Sequence, residues 1–140
     1  MNAGPQLAKK IMVVDDNEIV LKTISFKLRA AGFEPVPALD GLEALALARR
    51  EALDLILLDI NFPPDVYGEP WDGFRILKWL RQLDNVRNVP VIIISGSEAA
   101  DDKEQAEKNG VTAFFRKPID HADLLSVIQE TLETAPVSAL

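Results

Sequence analysis

Four short apolar runs, separated by longer amphipathic segments, constrain the fold of this chain more than any other feature. The runs are Ile-Met-Val-Val at 11–14, Leu-Ile-Leu-Leu at 55–58, Val-Ile-Ile-Ile at 91–94 and the briefer Ala-Phe-Phe at 113–115. Continuous apolar runs of this length are typical of strands that are buried on both faces. A weaker strand pattern lies at 34–38. The sequence therefore predicts five strands.

The segments between the runs have the spacing of amphipathic helices. Gly32 and Gly110 follow two of them, at the position where a left-handed residue ends a helix. Asp120 precedes the last segment, where its side chain would cap a helix. Trp79 fits the apolar face of the third segment and is predicted to lie in the core. The predicted helices occupy residues 17–31, 41–51, 73–83, 99–109 and 120–132.

This regular alternation of strand and helix predicts an α/β fold with a parallel sheet and helices on both faces. Right-handed crossovers leave few topologies, and among them we expect the flavodoxin-like, doubly wound (βα)₅ sheet with strand order 2-1-3-4-5. The 140 residues suffice for a core without disulfides, and the chain contains no cysteine. We assign residues 9–132 to one domain, with tails at 1–8 and 133–140.

The charge balance limits the partners that this chain is expected to bind. It has 15 Lys and Arg residues against 22 Asp and Glu residues, which gives a formal net charge of −7. That balance argues against nucleic acid or an anionic membrane surface as the main partner. No apolar run approaches the roughly 18 residues of a membrane span, and the run at 11–14 is too short for a signal peptide. We therefore expect a cytoplasmic protein with protein partners.

Polar residues follow the predicted strands at the edge where ligands of open parallel sheets collect. Asp15 and Asp16 follow the first strand, Asp59 the third, Ser95 the fourth and Lys117 the fifth. Each residue alone is also explained by a helix cap, a turn or a solvated position. Together, the three carboxylates would repel one another unless a cation offset their charge. The set predicts a hard divalent cation, and Mg²⁺ suits it better than Ca²⁺, which usually takes more protein oxygens.

Five short motifs, in order and with compatible spacing, resemble the receiver domains of two-component response regulators. The resemblance covers about residues 9–132 and implies a flavodoxin-like fold and a phosphoacceptor switch. The motifs are Val-Val-Asp-Asp-Asn at 13–17, Leu-Leu-Asp-Ile-Asn-Phe-Pro at 57–63, Asp-Gly at 72–73, Val-Pro-Val-Ile-Ile-Ile-Ser-Gly at 89–96 and Phe-Phe-Arg-Lys-Pro at 114–118.

The resemblance implies a role for each acidic residue of the site. Asp59 would accept a phosphoryl group from a histidine kinase or a histidine phosphotransfer protein. Asp15 and Asp16 would be the acidic pair that holds Mg²⁺, together with Asp59 and the backbone carbonyl of Asn61. Phosphoryl transfer needs mainly positioning and neutralisation of the equatorial oxygens, which a bound Mg²⁺ would help to provide.

The remaining motifs imply the other half of the switch. The Ser95 hydroxyl and the Lys117 ammonium would contact the phosphoryl oxygens, and Gly96 would leave room for them. A cis Lys117–Pro118 bond would direct the ammonium into the site. Phe114 takes the place of a tyrosine that swings inward in many receivers; it keeps the apolar ring and lacks the hydroxyl.

One segment departs from the family pattern. Eight residues, 64–71, separate the proline of the phosphoacceptor loop from Asp72 and Gly73, where the family usually has two. The segment is rich in turn-forming residues and carries two aromatic side chains, so we predict a surface loop beside the site. A neutral variation in loop length and a specialised partner contact both remain open.

We expect a stand-alone receiver that is not an enzyme beyond its own phosphorylation and slow dephosphorylation. A receiver cut from a longer regulator or hybrid kinase is the alternative. A haloacid-dehalogenase-like phosphohydrolase would need an acid at the position of Asn61, and a pseudo-receiver would lack one of the acids or the lysine. The fourth helix offers only alanines for burial, which predicts a weakly anchored helix. The resemblance to receivers implies that the fourth helix, fifth strand and last helix form the surface for a target protein or a homodimer.

Overall fold

The computed structural model describes residues 8–60, 73–96 and 101–134, in which strands and helices alternate along the chain. The strands are β1 (Lys10–Val14), β2 (Glu34–Ala38), β3 (Leu55–Asp59), β4 (Val91–Ser95) and β5 (Ala113–Arg116). The helices are α1 (Glu18–Ala30), α2 (Gly41–Arg50), α3 (Gly73–Leu80), α4 (Asp101–Lys108) and α5 (His121–Thr134).

All strand pairs of the sheet are parallel, and the spatial order is β2-β1-β3-β4-β5. The predicted flavodoxin-like topology is thus confirmed. Because β1 pairs with both β2 and β3, the winding direction reverses between β1 and β3, where such folds bind ligands. The register pairs Val14 with Leu58. The residues that follow this pair along the chain, Asp15 and Asp59, therefore lie side by side at the carboxyl edge of the sheet.

Two core clusters cover the two faces of the sheet. In β1, Ile11 and Val13 belong to the cluster that includes α1 and α5, whereas Met12 and Val14 belong to the cluster that includes α2, α3 and α4. This alternation follows from the period of two along a strand. Strands buried on both faces explain why the sequence shows continuous apolar runs instead of alternating ones.

The helix ends follow the chemistry expected from the sequence. Gly32 and Gly110 have φ angles of 93° and 71°, in the left-handed region that glycine tolerates best. The Asp120 carboxylate accepts hydrogen bonds from the backbone N–H groups of Ala122 and Asp123, at 2.9 and 3.2 Å. Asp120 thereby caps α5, as predicted.

The prediction that Trp79 lies in the core is wrong. Its side chain is 37% exposed, and the Arg75 guanidinium lies 6.0 Å from the ring centroid. The residues of α3 that are buried are Ile76, Leu77 and Leu80, together with Gly73 at its start. With about 100° between successive residues, Trp79 falls at the margin of that buried face, where Arg75 covers one side of the ring.

Some predicted features fall outside the described residues. They are Asn61, the segment at 64–71 and most of the two predicted tails. The tails and the bounds of the domain therefore stay predictions. Among the helices that the structure describes, none has both the length and the apolar composition needed to cross a bilayer.

Candidate functional site

The carboxyl ends of β1, β3 and β5 bring two buried carboxylates and an ammonium into contact. Asp15 and Asp59 are each 3% exposed. The Lys117 Nζ atom donates to Asp59 Oδ2 at 3.2 Å and to Asp15 Oδ2 at 3.4 Å. These three residues are separated by up to 102 positions in the sequence. The parallel sheet brings them together as the sequence predicted.

The turn from β1 into α1 determines how the first two acids are presented. Asp15 Oδ1 accepts a hydrogen bond from the backbone N–H of Asn17 at 2.9 Å. The Asn17 side chain in turn caps α1, because its Oδ1 accepts from the N–H groups of Ile19 and Val20. Asp15 is therefore directed inward, and Asp16 lies exposed beside it.

The three acids form a cluster of the kind that holds a hard cation. Asp15, Asp16 and Asp59 each offer a carboxylate oxygen, and these oxygens lie within 4.8 Å of one another. Oxygens that share one octahedral Mg²⁺ at about 2.1 Å lie roughly 3 to 4 Å apart, so small side-chain movements suffice. Lys117 supplies a single positive charge against three carboxylates. The oxygen donors, and the three acids grouped around the Lys117 ammonium, both fit a divalent cation.

Lys117 is held in the charged form. Partial burial lowers the pKa of its ammonium, but the attraction of Asp59 and Asp15 outweighs burial and raises the pKa above its usual value. The ion pairs therefore persist at neutral pH, and their contribution to stability is lost only as the pH rises through that raised pKa. The Lys117–Pro118 bond is cis, as predicted.

Ser95 ends β4, and its side chain links the sheet to α4. The residue is fully buried, and its hydroxyl donates to Asp102 Oδ2 at 3.3 Å. Its backbone carbonyl accepts from the N–H of Lys117 at 2.8 Å, which holds the start of the β5–α5 connection. No pattern in the sequence singled out Asp102. The available signal was its position in the first turn of a helix just after Ser95.

Gly73 explains why α3 can begin against the end of β3. A Cβ atom on Gly73 would lie 2.5 Å from Ile60 Cα and 2.7 Å from the Asp59 carbonyl oxygen. Its N–H donates to the Ile60 carbonyl at 3.2 Å. Only glycine allows this approach of two backbones. The glycine of the motif at 72–73 is therefore required by this close backbone contact, which the residue types alone do not reveal.

Phe114 lies apart from the charged cluster. It is half-buried on the face of the sheet that α4 covers, and it packs against the core cluster that contains Ala106. The Arg116 guanidinium lies 5.3 Å from its ring centroid. The structure thus gathers Asp15, Asp59 and Lys117 with Asp16 at one point, and it places Phe114 on the flank near α4.

The sequence comparisons agree with this geometry. The family model for the response regulator receiver domain matches residues 11–129. The polar-differentiation response regulator DivK of Brucella anthropi is 34% identical over 129 residues, which are 92% of this chain and 100% of DivK. These matches cover the whole α/β unit from β1 into α5.

The structural comparisons lead to the same family. A CheY-like receiver domain protein from Methanospirillum hungatei superposes with a TM-score of 0.80 at 28% identity, covering 91% of this chain and 95% of that protein. The receiver domain of a Pseudomonas aeruginosa sensor histidine kinase gives a TM-score of 0.78 at 26% identity, covering 91% and 100%. That structure has a magnesium ion coordinated in its active site cleft. This chain, with its acidic cluster and paired lysine, belongs to the response regulator receiver domain family of two-component signalling.

Proposed function

We propose that this receiver accepts a phosphoryl group on Asp59 from the phosphohistidine of a histidine kinase or phosphotransfer protein, and that the modification changes a protein interaction surface. One observation supports this most directly. The Asp59 carboxylate ends a central strand, is 3% exposed, pairs with Lys117 and clusters with two other acids. A structural core has no use for such an arrangement, whereas an acyl phosphate site needs it.

The reaction is an exchange of one bond to phosphorus for another. A carboxylate oxygen of Asp59 attacks the phosphorus atom and forms a new O–P bond. The N–P bond of the donor phosphohistidine breaks, and its electron pair stays on the imidazole nitrogen. No oxidant or further reactant is required, so this chain supplies the nucleophile, its orientation and charge neutralisation.

Each surrounding side chain has a task in that exchange. Lys117 contacts Asp59 before the reaction and can follow the phosphoryl oxygens afterwards, because its ammonium carries three donors. The Ser95 hydroxyl, at the end of the neighbouring strand, would donate to another phosphoryl oxygen. Asp15, held by the N–H of Asn17, keeps its second oxygen toward Lys117 and the acidic cluster.

The acidic cluster would hold Mg²⁺ through Asp15, Asp16 and Asp59, with the backbone carbonyl of Asn61 as a further ligand. When bound, Mg²⁺ supplies positive charge that offsets the attacking carboxylate and the phosphoryl oxygens. The magnesium ion in the related Pseudomonas aeruginosa receiver domain supports this proposal. Because Asp16→Ala removes one of the three carboxylates of the cluster, it should weaken Mg²⁺ binding at least tenfold.

The alternatives have less support. A phosphohydrolase of the haloacid-dehalogenase type would need a proton donor at position 61, which is Asn61. A pseudo-receiver would lack a member of the site, but both buried acids and the lysine are in contact. The protein would thus catalyse only its own phosphorylation and slow dephosphorylation. Its reaction partners would be cytoplasmic, where kinases use ATP, and α4, β5 and α5 would bind the target or a second copy.

Intact-mass measurement after incubation with acetyl phosphate and Mg²⁺ tests the proposal. The parent should gain one phosphoryl group, and Asp59→Asn should gain none. Asp84→Asn is a matched control, since the Asp84 side chain is 92% exposed and outside the site, and it should be labelled like the parent. Chelation of Mg²⁺ should abolish labelling. Labelling of Asp59→Asn at the parent's rate, or no adduct on the parent, would refute the assignment.

A further inference from the structure

The hydrogen bond between Ser95 and Asp102 joins the phosphoacceptor site to the helix that has the least packing. Ser95 is 0% exposed, whereas Asp102 is half-buried in the first turn of α4. Among the side chains of α4 that the structure describes, Ala106 alone is buried. A single methyl group contributes little packing free energy. The link at 3.3 Å is therefore a significant part of what holds this end of α4.

The chemistry of the link makes it incompatible with a phosphoryl contact. A serine hydroxyl carries one hydrogen and can donate to one acceptor at a time. In the unphosphorylated structure that hydrogen is directed to the Asp102 carboxylate. If Ser95 donates to a phosphoryl oxygen on Asp59, the bond to Asp102 must break. The two acceptors compete for one proton.

Charge strengthens this competition. An acyl phosphate carries close to two negative charges at neutral pH, where the unmodified carboxylate carries one. Asp102 would then face like charge across a buried hydroxyl, where screening by water is weak. Once released, its carboxylate stays in the first turn of α4, where the helix dipole favours negative charge. Breaking the link therefore leaves Asp102 with an alternative stabilising environment.

We propose that Asp102 is a positioning residue that holds the Ser95 hydroxyl away from the phosphoacceptor, and that phosphorylation releases α4 by taking this hydroxyl from it. The inference rests on the proposed function, because it requires an anionic group on Asp59. To that function it adds Asp102 as an acceptor that competes with the phosphoryl group for the Ser95 hydroxyl hydrogen. Asp102 thereby favours the unphosphorylated state and weakens binding of a phosphoryl group or its analogue.

Calorimetric titration with beryllofluoride in the presence of Mg²⁺ tests the proposal. Asp102→Ala should bind beryllofluoride about three- to tenfold more tightly than the parent, because a hydrogen bond to a charged group no longer opposes binding. Asp102→Asn, which keeps an uncharged acceptor, should lie between them. Glu107→Gln, an exposed acid on the same helix, is the matched control and should bind like the parent.

A double-mutant cycle separates the hydrogen bond from simple charge removal. In a Ser95→Ala background, Asp102→Ala should change the affinity clearly less than in the parent background, because no hydroxyl remains to compete for and only the like-charge repulsion is relieved. An equal gain in both backgrounds would assign the effect to charge alone and overturn the proposal. Unchanged affinity of Asp102→Ala beside normal binding by the parent would overturn it as well. Failure of the parent to bind beryllofluoride would instead count against the phosphoacceptor function itself, and the proposal would fall with it.

Amide chemical shifts provide a second readout. A purely structural role of Asp102 would not shift the α4 signals toward their positions in the beryllofluoride-bound protein. Without beryllofluoride, the α4 signals of Asp102→Ala should shift toward their positions in the beryllofluoride-bound parent. Signals of α1 should stay unchanged. If the α4 signals of Asp102→Ala coincide with those of the free parent, Asp102 does not hold the helix and the proposal is wrong.

Discussion

Helices α1 and α4 follow β1 and β4, which both pair with β3 in the sheet, but they are attached to the sheet in different ways. Helix α1 buries Leu21, Ile24 and Leu28 against one face of the sheet, and its start is capped by Asn17 next to the first acids. Helix α4 is shorter, and its contacts with the sheet include buried Ala106 and the hydrogen bond that the Ser95 hydroxyl donates to Asp102.

The difference separates two requirements of a switch. In the proposed function, the side that includes Asp15 would stay rigid, because a metal site depends on the fixed positions of its ligands. The side that includes Ser95 would move, because the proposed signal leaves the site there. Packing through three large apolar residues suits a rigid helix. A single hydrogen bond, whose donor can turn to another acceptor, suits a helix that moves. The predictions below test this contrast, in order of decreasing effect.

Truncation of the α1 core should have the largest effect on stability. Leu28 is 1% exposed within the cluster between α1, α5 and the sheet. Leu28→Ala should lower the free energy of unfolding by about 2 to 5 kcal/mol, from lost burial and the resulting cavity. Chemical denaturation monitored by circular dichroism would measure it. A loss below about 1 kcal/mol would show that α1 is not the rigid side.

Hydrogen exchange should show which region responds to activation. On addition of beryllofluoride and Mg²⁺, protection should change in residues 101–116, by an amount that corresponds to roughly 1 to 3 kcal/mol of coupling. Amides of α1 from Leu21 to Leu28 should keep their protection, because their packing does not depend on Ser95. Changes confined to 62–71, with 101–116 unaffected, would move the output to the inserted segment.

Replacing one buried alanine by glycine in each of two helices compares α4 with the well-packed α2. Ala106 in α4 and Ala48 in α2 are both fully buried on the same face of the sheet. Ala106→Gly should cost about 1 kcal/mol in helix propensity, seen mainly as faster exchange within α4. Ala48→Gly should instead lower the global denaturation midpoint. Equal global losses for both substitutions would contradict a separately opening α4.

The strands show how much of the fold could be predicted from the sequence. The apolar run at 55–58 forms β3, which extends one residue further to Asp59. The weak pattern at 34–38 forms β2 with the predicted bounds. A buried parallel strand has to be apolar on both faces, so its pattern is visible without the rest of the protein. Trp79 was placed wrongly, because helical spacing locates a face but not the margin where burial ends.

The candidate site was predictable to a similar extent, for a similar reason. Asp15, Asp59 and Lys117 follow strand ends, so topology alone brings them to one edge. Asp102 and Gly73 show the limit of that reasoning. Their roles depend on one contact to Ser95 and on a Cβ that would lie 2.5 Å from Ile60 Cα. No periodicity encodes contacts of this kind.

The sequence by itself determined the strand order and the convergence of the acidic residues with the lysine, because both follow from patterns that are local along the chain and from the handedness of crossovers. The tertiary structure alone decided that the Ser95 hydroxyl donates to Asp102 on α4. Strand ends are positioned to within a residue by backbone pairing. A side-chain hydrogen bond forms only if two elements lie within a few tenths of an ångström of the required separation, and that distance depends on how the whole core packs.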